Sequence, residues 1–215
     1  MLLLVDFFEK LVIILEHYFT NNDNLRSELR IIKYNYNEYS FMFYSDNGVF
    51  SKDKIDYASK LMLETYLKLN KKPTSILDVG CGYGYLGIVL KKILNSDVMM
   101  CDVNKRALHL AKKNIEENKV EAKIILSDIY ENIDSKYDLI ITNPPIRAGK
   151  KVVLDILEKA LNYLNIDGQL LFVIHKDQGA KSTIKTLEKN YICNIVEKSK
   201  GFFVVICEKR WHKAS

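Results

Sequence analysis

The chain has 215 residues, 48% hydrophobic and 27% charged, enough for one globular domain with a full core. Only three prolines and nine glycines occur, which excludes long flexible linkers and low-complexity tracts. The net charge of +5 lies wholly in the last third: residues 1–149 balance 20 Lys+Arg against 20 Asp+Glu, and residues 150–215 carry 12 against 7. A polyanion such as RNA can use that excess, although a lysine-rich solvated face produces the same count. Cys81, Cys101, Cys193 and Cys207 form no CxxC pair, so they read as buried free thiols rather than as a zinc site or disulfide framework. A cytoplasmic protein is expected.

In chain order, "MLLLVDFFEKLVIILEHYF" comes first, and Asp6, Glu9, Lys10 and Glu16 interrupt it too often for a membrane span. It lacks the early positive charge and small-residue cleavage site of a secretory signal. Its polar positions recur near helical spacing, so it reads as an amphipathic helix docked on the domain, with dimerisation or surface membrane contact as alternatives. Two strands follow, Leu29–Tyr34 and Tyr39–Tyr44, joined by an Asn-rich turn. A helix after a Ser51 N-cap is predicted next. Strands "SILDV", "DVMMCD", "KIILS", "YDLIIT" and "QLLFVI" then alternate with helices near Tyr85–Leu94, Lys105–Asn118 and Lys151–Leu164. A helix near Gly179–Asn190 and the strands "YICNIV" and "FFVVIC" complete the chain. Such alternation implies an α/β fold with a mostly parallel sheet covered on both faces, whose ligands gather beyond the carboxyl ends of the strands. Residues 1–50 are expected to form a small extension, a helix and a β-hairpin packed on the core, and residues 51–215 the main α/β domain.

The motifs fall at those strand ends. "ILDVGCGYGYLG" is a strand, a glycine turn and a helix start, and Gly82, Gly84 and Gly87 satisfy GxGxxG with Asp102 closing the next strand. A dinucleotide-binding dehydrogenase fits that pattern. Asp78, however, stands just before the glycines, where it repels a pyrophosphate and favours a ligand carrying an ammonium and a sulfonium. S-adenosylmethionine is such a ligand. The glycines let the backbone approach it closely, Asp102 can accept from both ribose hydroxyls, and Asp128 can accept from the adenine amine. Cys81, Val103 and Ile129 adjoin these positions and join the candidate cofactor-binding set.

"ITNPPIRAGK" ends the fourth of these strands. The Asn143 side-chain carbonyl and the peptide carbonyl after it can hold both N–H bonds of an exocyclic amine and aim its lone pair at the methyl group. Pro144 and Pro145 fix the corner and donate no hydrogen bond, which keeps those acceptors rigid. Ile146, after the corner, offers no ring to stack on the target, and Phe50 or an aromatic of the N-terminal hairpin is the expected stacking partner.

Together "DVGCGYG", "DVNKRALHLAKKN", "SDIYEN", "TNPPIRAGKKVV", "HKDQGAKS" and "NGVFSKDKIDYASKLMLE" resemble class I methyltransferases of the small, or MTS, group. The strongest likeness is to the ribosomal RNA small-subunit methyltransferase C family, which methylates guanine N2, and it runs from about Glu16 to Lys209. The resemblance implies a Rossmann-like, seven-stranded sheet and S-adenosyl-L-methionine as cofactor. Asp78, Gly80, Gly82 and Gly84 would contact its methionine part, Asp102 the ribose, Asp128 the adenine, and Asn143 with Pro144 the target amine. Phe50, within a Gly48–Ser51 segment that covers the pocket, would join them, and Arg147 and Lys150 are candidates for RNA phosphate contact or for a solvated helix start. Longer members carry a second, degenerate domain for which this chain has no room. RNA docking is then expected to rest on the catalytic domain as a monomer, or on a homodimer. The competing readings are a protein glutamine-amide methyltransferase, a DNA adenine-N6 enzyme, and a cofactor-binding module without turnover.

Overall fold

The computed structural model describes residues 25–210. The apolar helix expected near the start lies outside the described residues, and among those described no helix is long and apolar enough to cross a membrane.

β1 (Arg30–Tyr36) and β2 (Tyr39–Ser45) form an antiparallel hairpin, its turn closed by Asn37 at φ 48°, a left-handed conformation that asparagine tolerates. Alternation sends Ile32, Tyr34, Phe41 and Phe43 inward. α1 spans Tyr57–Lys68 and is capped by Asp56, whose carboxylate accepts from the backbone N–H of Ser59 at 2.8 Å. The expected Ser51 cap is therefore corrected. Ser51 sits in a turn at φ 57°, because the polar "SKDK" stretch has nothing to bury and the helix begins where Ala58, Met62, Leu63 and Tyr66 can pack.

The rest is a layered α/β unit: β3 (Ser75–Val79), α2 (Tyr85–Leu94), β4 (Asp97–Asp102), α3 (Lys105–Glu117), β5 (Lys123–Leu126), β6 (Tyr137–Thr142), α4 (Lys150–Tyr163), β7 (Leu164–His175), α5 (Ala180–Leu187), β8 (Tyr191–Ser199) and β9 (Phe202–Lys209). The seven-stranded sheet runs β5-β4-β3-β6-β7-β9-β8, with β9 antiparallel to both its neighbours. β7 begins earlier than its apolar run predicts, because Leu164 already pairs with Tyr137 before an irregular stretch. Gly168 is required there, since a Cβ would lie 2.8 Å from the Tyr137 carbonyl oxygen.

Period-2 alternation sorts the core. Ile76, Leu139, Ile141, Leu171 and Val173 face the hairpin and α1–α3, while Leu77, Ile140, Leu170, Phe172 and Ile174 face α4 and α5. The hairpin joins through α3 rather than through the sheet. Asn114 accepts from the Tyr44 N–H at 2.7 Å and donates to the Tyr44 and Tyr83 carbonyls. Asn118, one turn on, accepts from the Met42 N–H and donates to its carbonyl. The two carboxamides thus serve the edge of β2 as a partner strand would.

The cysteines divide. Cys81 and Cys101 are buried free thiols as expected. Cys193 and Cys207, expected free, are joined by a disulfide. The antiparallel pairing of β8 with β9 sets them directly opposite each other, a register their spacing in sequence does not reveal.

Candidate functional site

β3 and β6 are neighbours at the centre of the sheet, and the connections out of them lead to opposite faces, so their carboxyl ends border the crevice where such sheets bind ligands. The glycine loop leaves β3 there. Gly80 and Cys81 both donate backbone N–H bonds to the Cys101 carbonyl, at 2.9 and 3.0 Å, tying the loop to β4. Gly80 and Gly82 have φ of 71° and 56°, and a Cβ on either would meet nothing within 4 Å, so this backbone faces open space.

Asp78 lies beneath the loop with no solvent exposure. Its Oδ2 accepts from the Gly87 N–H at 2.9 Å, whereas Oδ1 is buried without a partner. Gly87 permits this approach, since a Cβ there would already be 3.3 Å from the carboxylate and 2.5 Å from Met100 Sδ. Burial, with some help from the charge of Asp102, raises the Asp78 carboxyl to about 7 against the pull of the Gly87 N–H. Asp102, at the end of β4, accepts from the Gly82 and Asn104 N–H groups, each at 2.8 Å, which sets its orientation. Burial pushes its carboxyl up as well. Asp128 follows β5 on the exposed surface, between Ser127 and Ile129, the latter held at φ 52°. Cys81 is kept as a neutral thiol by burial and by the neighbouring Asp102 and Asp78, so it is a poor nucleophile.

β6 reaches the same edge, pinned by the Thr142 hydroxyl donating to the Val79 carbonyl at 2.8 Å. Asn143 comes next. Its Nδ2 donates to Asp56 Oδ2 at 3.1 Å and Ser59 Oγ at 2.8 Å, and no described residue donates to its Oδ1. Pro144 is buried behind it, and the Pro145 carbonyl accepts from the Ala148 N–H to close a short turn, Ile146–Ala148. Arg147 and Lys150 are exposed past this corner, with Lys150 Nζ 3.5 Å from Ser182 Oγ.

The expected stacking partners separate. Inside the core Tyr34 packs against Tyr85, Phe43 against Tyr83 and Tyr85, and Phe41 against Tyr34 and Phe43, while Tyr44 is held on α3 by Lys113 and Glu117, so these rings are engaged. Phe50 is 58% exposed in the Gly48–Ser51 segment, which is fastened to the start of α3 where Asn104 Nδ2 donates to the Gly48 carbonyl and Arg106 to that of Asn47. Sequence reasoning missed another aromatic group at this edge. Phe202 lies 4.8 Å from His175 and 5.9 Å from Tyr57, measured between ring centroids, and Lys200 Nζ stands 4.7 Å from the Tyr57 ring. Only the reversal of β9 brings the β8–β9 turn to Tyr57, the residue after Asp56, and no local motif announces that.

These features fit S-adenosylmethionine. A buried carboxylate oxygen lacks a donor, a glycine backbone opens onto free space, and two further carboxylates stand at successive strand ends. That set of acceptors suits an ammonium, ribose hydroxyls and an amine, and it offers nothing to a phosphate.

Comparison with known proteins agrees. The profile of the methyltransferase small domain matches residues 40–206. The uncharacterized protein YbxB of Bacillus subtilis is 39% identical over 90% of this chain and 98% of its own length. Ribosomal RNA small subunit methyltransferase C of Haemophilus influenzae is 37% identical over 60% of this chain, which spans 40% of that relative. Among solved structures, the T. thermophilus 16S rRNA N2 methyltransferase RsmC, in complex with AdoMet and guanosine, superposes with a TM-score of 0.77 at 25% identity. The match covers 86% of this chain and 52% of that one.

Proposed function

Since the chain belongs to the methyltransferase small domain family and uses S-adenosylmethionine, we propose that it methylates the exocyclic N2 amine of a guanine in small-subunit ribosomal RNA, acting in the cytoplasm. One observation carries the amine: the Asn143 carboxamide stands at the end of β6, beside the glycine loop, with its NH₂ committed to α1 and its carbonyl free. The guanine rests on the relatives, two of which are named for small-subunit ribosomal RNA.

In this reading the bound cofactor supplies an electrophilic methyl group on a positively charged sulfur. Asp78 Oδ1 accepts from its methionine portion, and Gly80, Cys81, Gly82 and Gly84 line that portion with backbone. Asp102 holds the ribose, with Val103 beside it. Asp128 accepts from the adenine amine, flanked by Ile129, and Phe50 covers the pocket. Asn143 Oδ1 and the Pro144 carbonyl accept hydrogen bonds from the two N–H groups of the target amine, turning its lone pair toward the methyl group, while Pro145 keeps the corner rigid. No covalent intermediate is needed, consistent with the neutral thiol of Cys81. Arg147 and Lys150 contact RNA phosphates, and the β1–β2 hairpin, within the proposed extension of residues 1–50, braces the catalytic domain of residues 51–215.

The test is nucleoside mass spectrometry. Purified protein with labelled cofactor and unmodified 30S subunits should yield N2-methylguanosine. Label on a protein glutamine, or on adenine, overturns the assignment.

A further inference from the structure

We infer that Asp56 and Ser59 are positioning residues, which lock the Asn143 carboxamide in the one orientation that leaves its carbonyl for the substrate. The inference rests on the reading of Asn143 as the acceptor for the target amine.

An asparagine side chain is nearly symmetric in shape, and rotation by half a turn exchanges an acceptor for a donor. Presented the wrong way round, Asn143 would offer N–H groups to an amine that itself has only N–H groups to give in this direction. Two prolines restrain the backbone after Asn143, and they do nothing to stop that rotation. The neighbours on α1 do. Asp56 Oδ2 lies 3.1 Å from Asn143 Nδ2, and a carboxylate only accepts. The Ser59 hydroxyl could in principle donate or accept, but its hydrogen is directed to the same Asp56 oxygen at 3.1 Å. Its lone pairs are left for Asn143 Nδ2, at 2.8 Å. The polarity of the triangle is therefore set by the one anion in it. A flipped Asn143 would bring its carbonyl oxygen against a carboxylate and a hydroxyl already committed elsewhere, leaving both contacts repulsive or unmade.

The triangle joins distant segments of the chain: Asp56, the cap of α1, and Ser59 in its first turn precede Asn143 by 87 and 84 residues. Asp56 also caps α1 by accepting from the Ser59 N–H at 2.8 Å, so a single side chain both starts the helix and orients the site. Both duties fall on the same oxygen, Asp56 Oδ2, so Asp56→Asn does not separate them: an asparagine that turns its NH₂ toward Asn143, permitting the flipped state, also turns it toward the Ser59 N–H and gives up the cap. Ser59→Ala removes the hydroxyl while leaving its backbone N–H on the Asp56 cap.

The experiment compares Asp56→Asn, Ser59→Ala and Asn143→Ala in single-turnover transfer from labelled cofactor to a small-subunit rRNA transcript. Melting temperature and cofactor affinity are measured alongside. We expect Ser59→Ala and Asp56→Asn to slow transfer roughly ten- to a hundredfold, the loss typical of a misplaced reacting group, with KM for RNA and cofactor affinity close to the parent; the melting temperature stays close to the parent in Ser59→Ala and falls in Asp56→Asn with the lost cap. Asp56→Asn added to Asn143→Ala should slow the residual rate no further, because the two act as one unit. Parent-like transfer by Asp56→Asn and Ser59→Ala, with Asn143→Ala inactive, overturns the orienting role and spares the role of Asn143. Full transfer by Asn143→Ala overturns that underlying reading. A loss that follows the melting temperature in both α1 variants reduces Asp56 and Ser59 to helix stability alone and also overturns the inference.

Discussion

Asp78 combines full burial with a carboxyl raised to about 7, and that pairing makes the site sensitive to pH. A cationic ligand requires the ionised form. Cofactor affinity should therefore fall roughly tenfold per unit as pH drops below about 7 and level off above it, as titration calorimetry can show. The cofactor-free protein follows the opposite sign. Its folded-state carboxyl is raised above the ordinary carboxylate value, so the native chain holds a proton that the unfolded chain has lost. The stability this gives is complete below about pH 4 and is lost as pH rises through about 7. Asp78→Asn should flatten both curves and weaken cofactor binding at pH 8. Asp102→Ala should likewise weaken the cofactor, through loss of the proposed ribose acceptor. Asn143→Ala belongs to a different step: transfer should fall to a small residual rate with cofactor affinity near normal, and retained full turnover would count against the amine-holding role.

Among the elements, the hairpin depends on α3 to an unusual degree. Asn114 is fully buried and makes three bonds to backbone groups of Tyr44 and Tyr83. Asn114→Ala should cost roughly 2–4 kcal/mol in chemical denaturation, since each buried backbone group it abandons is left unsatisfied. None of this was legible in "HLAKKNIEEN", where both asparagines read as ordinary polar positions of a helix. The strands and helices themselves were legible, because Ile76–Leu77 and Leu139–Ile141 are short apolar runs that lead into turn residues, and Ala107, Leu110, Ala111 and Asn114 recur at helical spacing. The glycine loop and the proline corner were legible for the same reason, as unusual residues at strand ends. Contacts between distant segments were not. The Cys193–Cys207 bond depends on the register of β8 against β9, the Tyr57–Phe202–His175 group on the reversal of β9, and the Asp56 cap on which side chains find a core to enter.

For the molecule as a whole, the positive excess after residue 149 acquires a place. β8 runs parallel to β7, so its end at Lys198 and the following turn at Lys200 return to the carboxyl edge, where Lys176 and, in the first turn of α5, Lys181 also stand. With Arg147 and Lys150 they form a basic rim beside the proposed amine site. Replacing Lys181 and Lys200 together by Gln should raise KM for RNA and reduce the salt slope by roughly one for each phosphate no longer neutralised. Turnover at saturating RNA should hardly change. The opposite edge is different in character: it bears Ile166, 69% exposed, in the irregular stretch of β7, and β9 ends there at Lys209. All four native cysteines are buried or bonded, so Ile166→Cys would offer the one accessible thiol among the described residues. A dye or a bead attached through it would sit a full strand length from the chemistry, leaving an immobilised enzyme with its open mouth turned to the solution.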